Sequence, residues 1–165
     1  MNRSSLIPLF LLVLFVAHRA DAQVVLPGKQ GTELDQSVFG LGLFGGPATG
    51  IGLSFRHHLP SAFSYQVTAG VIKVDEKLYY SVGGEFHYDL ARGERTRFFA
   101  VGGLGYYYAG EGRNEMEAPA RVGLGVGGEF QVFEGLHGIA EGLFTYFTDG
   151  TILPLPQVGL YYYFY

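Results

Sequence analysis

The side chains of this chain that could do chemistry are few, and they interrupt otherwise apolar, alternating stretches. Glu85, Glu129 and Glu141 lie in the middle of such stretches, with Arg56 and Arg121 nearer their ends. Two carboxylates facing one another can act as acid and base on a glycosidic bond. The same residues can hold an enclosed interior together, because an ionised group away from water needs an opposite charge or hydrogen bonds. We read Arg56, Glu85, Arg121, Glu129 and Glu141 in this second way, as an interior polar network. His87 stands two residues from both Glu85 and Asp89, so an extended chain puts all three on one face, a weak metal-binding pattern. We read it instead as a hydrogen-bonded member of the same interior. His57 and His58 are adjacent, point to opposite faces of a strand, and make a poor metal clip. Ser37, Ser54, Ser61, Ser64 and Ser81 lack a G-x-S-x-G setting, and Gly102-Gly103 lacks the strand-to-helix context of a nucleotide loop. No catalytic residue, cofactor or metal site is expected, and the chain is not read as an enzyme.

Composition narrows what can position these groups. There are 165 residues, one domain's worth, and no cysteine, which removes disulfides, thiolate metal sites and cysteine nucleophiles. The 26 glycines, with 12 tyrosines and 14 phenylalanines, disfavour a helical bundle and suit curved strands. A net charge of −4 leaves no basic footprint for nucleic acid. At the N-terminus, Arg3, the apolar run Leu6 to Ala17 and Ala20-Asp21-Ala22 read as a signal peptide over 1–22, with cleavage before Gln23. That run is too short for a helical span, which needs about 20 apolar residues. Residues 23–35 form a polar lead-in.

From Gln36 the chain reads as eight strand-like runs: 36–44, 49–58, 62–73, 77–90, 97–109, 120–133, 137–148 and a last one over Gln157 to Tyr165. Phe39, Leu41 and Leu43 alternate with Val38, Gly40 and Gly42. Leu78, Tyr80, Val82, Phe86 and Tyr88 alternate with Ser81, Gly83, Glu85, His87 and Asp89. This two-residue period marks strands with one apolar face. The fifth run is apolar on both faces, so its inward side is not assigned. Val82-Gly83-Gly84-Glu85-Phe86 recurs as Val126-Gly127-Gly128-Glu129-Phe130, placing a carboxylate on the polar face of the fourth and sixth strands. A hairpin centred on Gly135 sets Glu129 opposite Glu141. Like charges across a ladder repel, so Arg56 is expected between them, or one carboxyl is protonated.

The last run, bounded by Pro154 and Pro156, is dense in Tyr and Phe and ends on an aromatic residue. An exposed apolar edge strand is an aggregation hazard, and pairing with the first strand removes it by closing a barrel. Eight strands of this length, the signal segment and the aromatic tail resemble the small eight-stranded outer-membrane proteins of the OmpA/OmpX type. The resemblance runs over 36–165 and is one of architecture. It implies an all-β fold: an eight-stranded antiparallel up-and-down transmembrane β-barrel in a Gram-negative outer membrane. It implies Tyr161, Tyr163, Phe164 and Tyr165 as an assembly signal. The implied partners are outer-membrane lipid and the barrel-assembly machinery, with a monomeric state. Phe44, Phe63, Tyr79, Tyr88, Tyr106 to Tyr108, Phe133, Phe147 and Tyr161 to Tyr165 are expected as interfacial girdles. Residues 45–48, 74–76, 110–119 and 149–155 would face outside. Those loops are short, which argues against an adhesin or a receptor and for a structural or surface-interaction role with a filled lumen. Two alternatives are a narrow transport pore and a soluble lipocalin-like lipid-binding barrel, which would face its apolar side inward.

Overall fold

The computed structural model describes residues 37–164. The signal segment, its cleavage point, the lead-in, Gln36 and Tyr165 lie outside the described residues. Eight strands follow in chain order: β1 (Val38–Gly46), β2 (Gly50–His58), β3 (Phe63–Val74), β4 (Lys77–Arg92), β5 (Thr96–Gly110), β6 (Ala120–Phe133), β7 (Leu136–Phe147) and β8 (Ile152–Phe164). Each pairs antiparallel with the next, and β8 pairs with β1 from Phe39↔Phe164 to Gly45↔Val158, which closes the barrel.

Closure settles which face is inside. Phe39, Leu41, Leu43, Leu53, Val67, Phe86, Leu104, Leu124, Phe144, Val158 and Leu160 all point outward and are exposed. Arg56, Gln66, Glu85, His87, Arg97, Glu129, Glu141 and Gln157 point inward and are buried. A lipid-binding barrel of the lipocalin kind needs the reverse arrangement, so that alternative fails. The ambiguous fifth strand turns Arg97, Phe99, Val101 and Tyr107 inward, and Phe98, Leu104 and Tyr106 outward.

Four expectations need correction. First, β8 begins at Ile152, inside what the sequence reads as a loop, and contains both prolines. Pro154 and Pro156 pair with Phe144 and Gly142 of β7, but β1 has ended before them. There β8 is an edge strand, where a residue lacking an N–H is tolerated. Second, Glu129 is opposite Ile139, and Glu141 is opposite Gly127. The turn is the two-residue Glu134–Gly135, with Gly135 at φ 73, and β6 bulges between Gln131 and Phe133. A bulge adds one residue to one strand and shifts the register. Third, Phe44, Tyr107, Tyr161 and Tyr163 are buried in the lumen and take no part in an outer girdle. Fourth, the β1–β2 connection folds inward: Ala48 and Thr49 are fully buried.

That fourth point explains several glycines. A Cβ on Gly83 would overlap the Thr49 carbonyl oxygen, one on Gly105 the Ala48 carbonyl oxygen, and one on Gly103 would meet Thr49 Cγ2 at 2.7 Å. The strands facing the inserted turn are bare where it enters.

Candidate functional site

An eight-stranded barrel has an interior just wide enough for side chains to fill. Here it is filled in three levels. The upper level is the inserted turn Pro47 to Thr49, with Gln157 of β8 as its main anchor. The Gln157 side-chain Oε1 accepts the backbone N–H of Ala48 at 3.0 Å and of Thr49 at 3.2 Å. Its amide nitrogen donates to Glu85 Oε1 at 2.9 Å and to Glu141 Oε2 at 3.2 Å. Tyr107 Oη donates to the Gly46 carbonyl and accepts from Gly50 N–H. Arg121 donates to the Pro47 carbonyl, and its guanidinium lies 3.9 Å from the centre of the Tyr107 ring and 4.9 Å from that of Phe147.

The middle level holds Glu85, His87 and Glu141. His87 Nε2 is 3.1 Å from Glu85 Oε2 and 3.6 Å from Glu141 Oε1. Thr49 Oγ1 donates to Glu85 Oε1. Arg56 enters from below, 3.8 Å from Glu141 Oε1 and 3.6 Å from Glu129 Oε2, and donates to Gln66 Oε1 at 3.1 Å. It packs against the rings of Phe99 and Tyr161, at 5.1 and 5.8 Å. Such cation–π contacts strengthen when desolvated, and Arg56 is 0% exposed.

The lower level is built on Glu129. Arg97 is 3.2 Å from Glu129 Oε2 and 3.2 Å from Asp89 Oδ1, and His137 Nδ1 is 3.1 Å from Glu129 Oε1. Arg97 also meets His58 Nδ1. A guanidinium only donates, so Nδ1 accepts and the His58 proton sits on Nε2, which faces Tyr163 Oη at 2.7 Å.

Of the residues singled out from sequence, Arg56, Glu85, Glu129 and Glu141 therefore meet in the lumen. Arg56 spans the two carboxylates even though these are not cross-strand partners. Arg121, on β6, stands apart from them and holds the inserted turn. Tyr161 and Tyr163 point into this network, and Phe164 points outward. Sequence reasoning missed Arg97, His58, His137 and Gln157. Arg97 lies in the one strand whose two faces are both apolar in sequence, and Gln157 follows directly on Pro156, inside a stretch whose prolines read as a loop. His57, the outward neighbour of His58, stacks on Phe39 with centroids 4.2 Å apart.

No protein-family model matches the chain, and no curated protein matches it. Two solved structures are similar to it. One is the outer membrane protein Ail of Yersinia pestis in a phospholipid bilayer nanodisc, 13% identical, with a TM-score of 0.45, covering 78% of this chain and 98% of that one. The other is Neisserial surface protein A, 17% identical, with a TM-score of 0.36, covering 77% of this chain and 91% of that one.

Proposed function

We propose that the chain is a small outer-membrane β-barrel with a closed lumen and a structural or surface-interaction role. One observation carries the reading: the barrel is inside-out, with charge buried and large apolar side chains exposed. Leu53, Phe86, Leu124 and Phe144 are exposed by 74, 74, 69 and 68%. A band of this extent on a water-soluble surface would aggregate, whereas lipid is its natural solvent. The band has the right height. From Leu136 to Tyr146, β7 climbs about 33 Å at 3.3 Å per residue, or about 25 Å along the axis at a tilt of about 40°. The apolar band of such barrels is about 25 Å tall. Aromatics border it: Tyr106 and Tyr146 face outward at one end, and Phe63, Tyr88, Phe133, Tyr162 and Phe164 at the other.

The surface role rests on the end that carries the inserted turn. There β3 and β4 rise beyond β2, and residues 71–79 are exposed on both faces of the hairpin. The β5–β6 loop beside it is tied down by Asn114 and by the Lys77–Glu115 pair at 3.1 Å. In the family resemblance this end faces outside the cell.

The test is fractionation of cells that express the full chain, followed by gel mobility with and without boiling. The protein is expected in the detergent-extracted outer-membrane fraction, migrating faster unboiled. Deleting Phe164 and Tyr165 is expected to leave export intact and abolish the fast-migrating form. Recovery of the intact chain as a soluble periplasmic protein would overturn the reading.

A further inference from the structure

We propose that Glu85, His87 and Glu141 form a divalent-metal site of the zinc class inside the lumen. Their ligand atoms all lie within 4.8 Å of one another, and all three residues are buried. The three come from two strands that are not neighbours: Glu85 and His87 from β4, and Glu141 from β7. The sequence pattern that joins Glu85 to His87 does not reach Glu141, which only closure of the barrel brings to them.

The orientation of the carboxylates is what points to a cation. Each has one oxygen committed to hydrogen bonds. Glu85 Oε1 takes the Gln157 amide and the Thr49 hydroxyl, and Glu141 Oε2 takes the same Gln157 amide. The other oxygens, Glu85 Oε2 and Glu141 Oε1, turn toward His87 Nε2. Groups that hold the far side of metal-ligating carboxylates act in this way, fixing orientation and basicity. Glu141 Oε1 accepts no hydrogen bond although its side chain is 0% exposed. A hydrogen bond from His87 to Glu85 accounts for one of the two oxygens and leaves Glu141 Oε1, at 3.6 Å, out of reach.

Two of the three separations match those around a bound ion, and the third, between the two carboxylate oxygens, is within 4.8 Å. Tetrahedral zinc with bonds of about 2.0–2.1 Å sets its ligand atoms about 3.3 Å apart. The two distances from His87 Nε2, 3.1 and 3.6 Å, bracket that value. One imidazole and two carboxylates leave a fourth position, as in zinc sites with three protein ligands. The charge balance favours the same conclusion. Glu85 and Glu141 are clamped side by side through Gln157, yet the guanidinium nearest Glu141, that of Arg56, is shared with Glu129. Arg97 is engaged with Glu129 and Asp89. The site depends on the closed lumen and not on which membrane holds the barrel.

The experiment refolds the full chain from urea into detergent with Zn²⁺ or with EDTA, removes free ions, and measures metal per folded chain by elemental analysis. About one zinc per chain is expected, with retention falling at least tenfold in Glu141→Gln and His87→Ala. Glu134→Gln, on the exposed turn, is the control and should match wild type. Metal at the EDTA level in wild type, or equal retention in wild type and Glu141→Gln, would overturn the site. Because a lumen variant can fail to fold, Co²⁺ is used on the wild type as a second readout. Intense visible bands of a four-coordinate ion support the site. A weak six-coordinate spectrum, or none, overturns it.

Discussion

The pentapeptide Val-Gly-Gly-Glu-Phe occurs at 82–86 in β4 and again at 126–130 in β6, and the two copies do different work. In both, the first Gly and the Glu face the lumen, and the Val and Phe face outward. Gly83 makes room for backbone, that of the inserted turn at Thr49; Gly127 makes room for side chains, the Phe99 ring and Glu141 Cγ, each at 2.7 Å from an added Cβ. Glu85 is held by hydrogen bonds from Thr49, Gln157 and His87. Glu129 is held by charge, between Arg56 and Arg97. One local sequence thus meets a hydrogen-bonded upper lumen and an ion-paired lower lumen. The difference comes wholly from what the other strands bring to it.

The largest expected effect tests the ion-paired half. Arg56→Ala strands Glu129 and Glu141 without one of their cations, and breaking a buried pair costs about 3–5 kcal/mol. Glu85→Gln removes charge from the half held by hydrogen bonds and is expected to cost about 1–3 kcal/mol. Denaturant unfolding in detergent compares the two. Equal losses would erase the distinction between the halves.

Next in size is the anchor of the inserted turn. Gln157→Ala leaves the Ala48 N–H without its acceptor, at about 1–3 kcal/mol, while the Thr49 N–H keeps the Gly46 carbonyl oxygen at 3.1 Å. The wild type should carry little or no current in planar bilayers, because the turn and the side chains below it fill the lumen. Gln157→Ala should show intermittent openings. Large, steady wild-type conductance would instead favour the pore reading.

The glycines sharpen the comparison further. Overpacking costs about 1–3 kcal/mol, and Gly83→Ala should sit at the upper end, since a backbone carbonyl must move. Gly127→Ala should cost less, because a ring and a flexible Glu can shift. Unfolding midpoints of the two variants, with the outward Gly128→Ala as reference, give the order.

The smallest effect lies outside the barrel wall. Lys77 hydrogen-bonds to Glu115 and, with its charge, holds that carboxyl below its usual range. A depressed carboxyl contributes stability above its unfolded pKa and loses it as pH falls through the folded one. Both partners are about half exposed, so Lys77→Ala should leave the unfolding midpoint unchanged at neutral pH within error. Any effect on the β5–β6 loop, read by hydrogen exchange, should vanish in acid.

Alternation of apolar and polar residues by itself determined the strand count and most strand positions, and the apolar aromatic tail, a hazardous edge unless paired, pointed to its pairing with the first strand. A two-residue period leaves few alternatives when each strand has one apolar face. It also placed Arg56, Glu85, Glu129 and Glu141 on a common face. Periodicity is blind to inside and outside, because a soluble barrel and its inverse alternate alike; the closed structure put charge within and Leu, Val and Phe without. The two-residue turn and the bulge in β6 were equally hidden, since each shifts the Glu129–Glu141 register by one residue without any mark in the composition. Residues 45–48 read in the sequence as an outer loop, and Thr49 as the start of a strand, because Gly, Pro and Ala are ordinary turn formers. Only the bare glycines of β4 and β5 and the Gln157 amide on the far wall could draw this turn into the lumen. The meeting of Glu85 and His87 with Glu141 was likewise decided by tertiary structure, because the residues stand on strands that touch only across the barrel's interior.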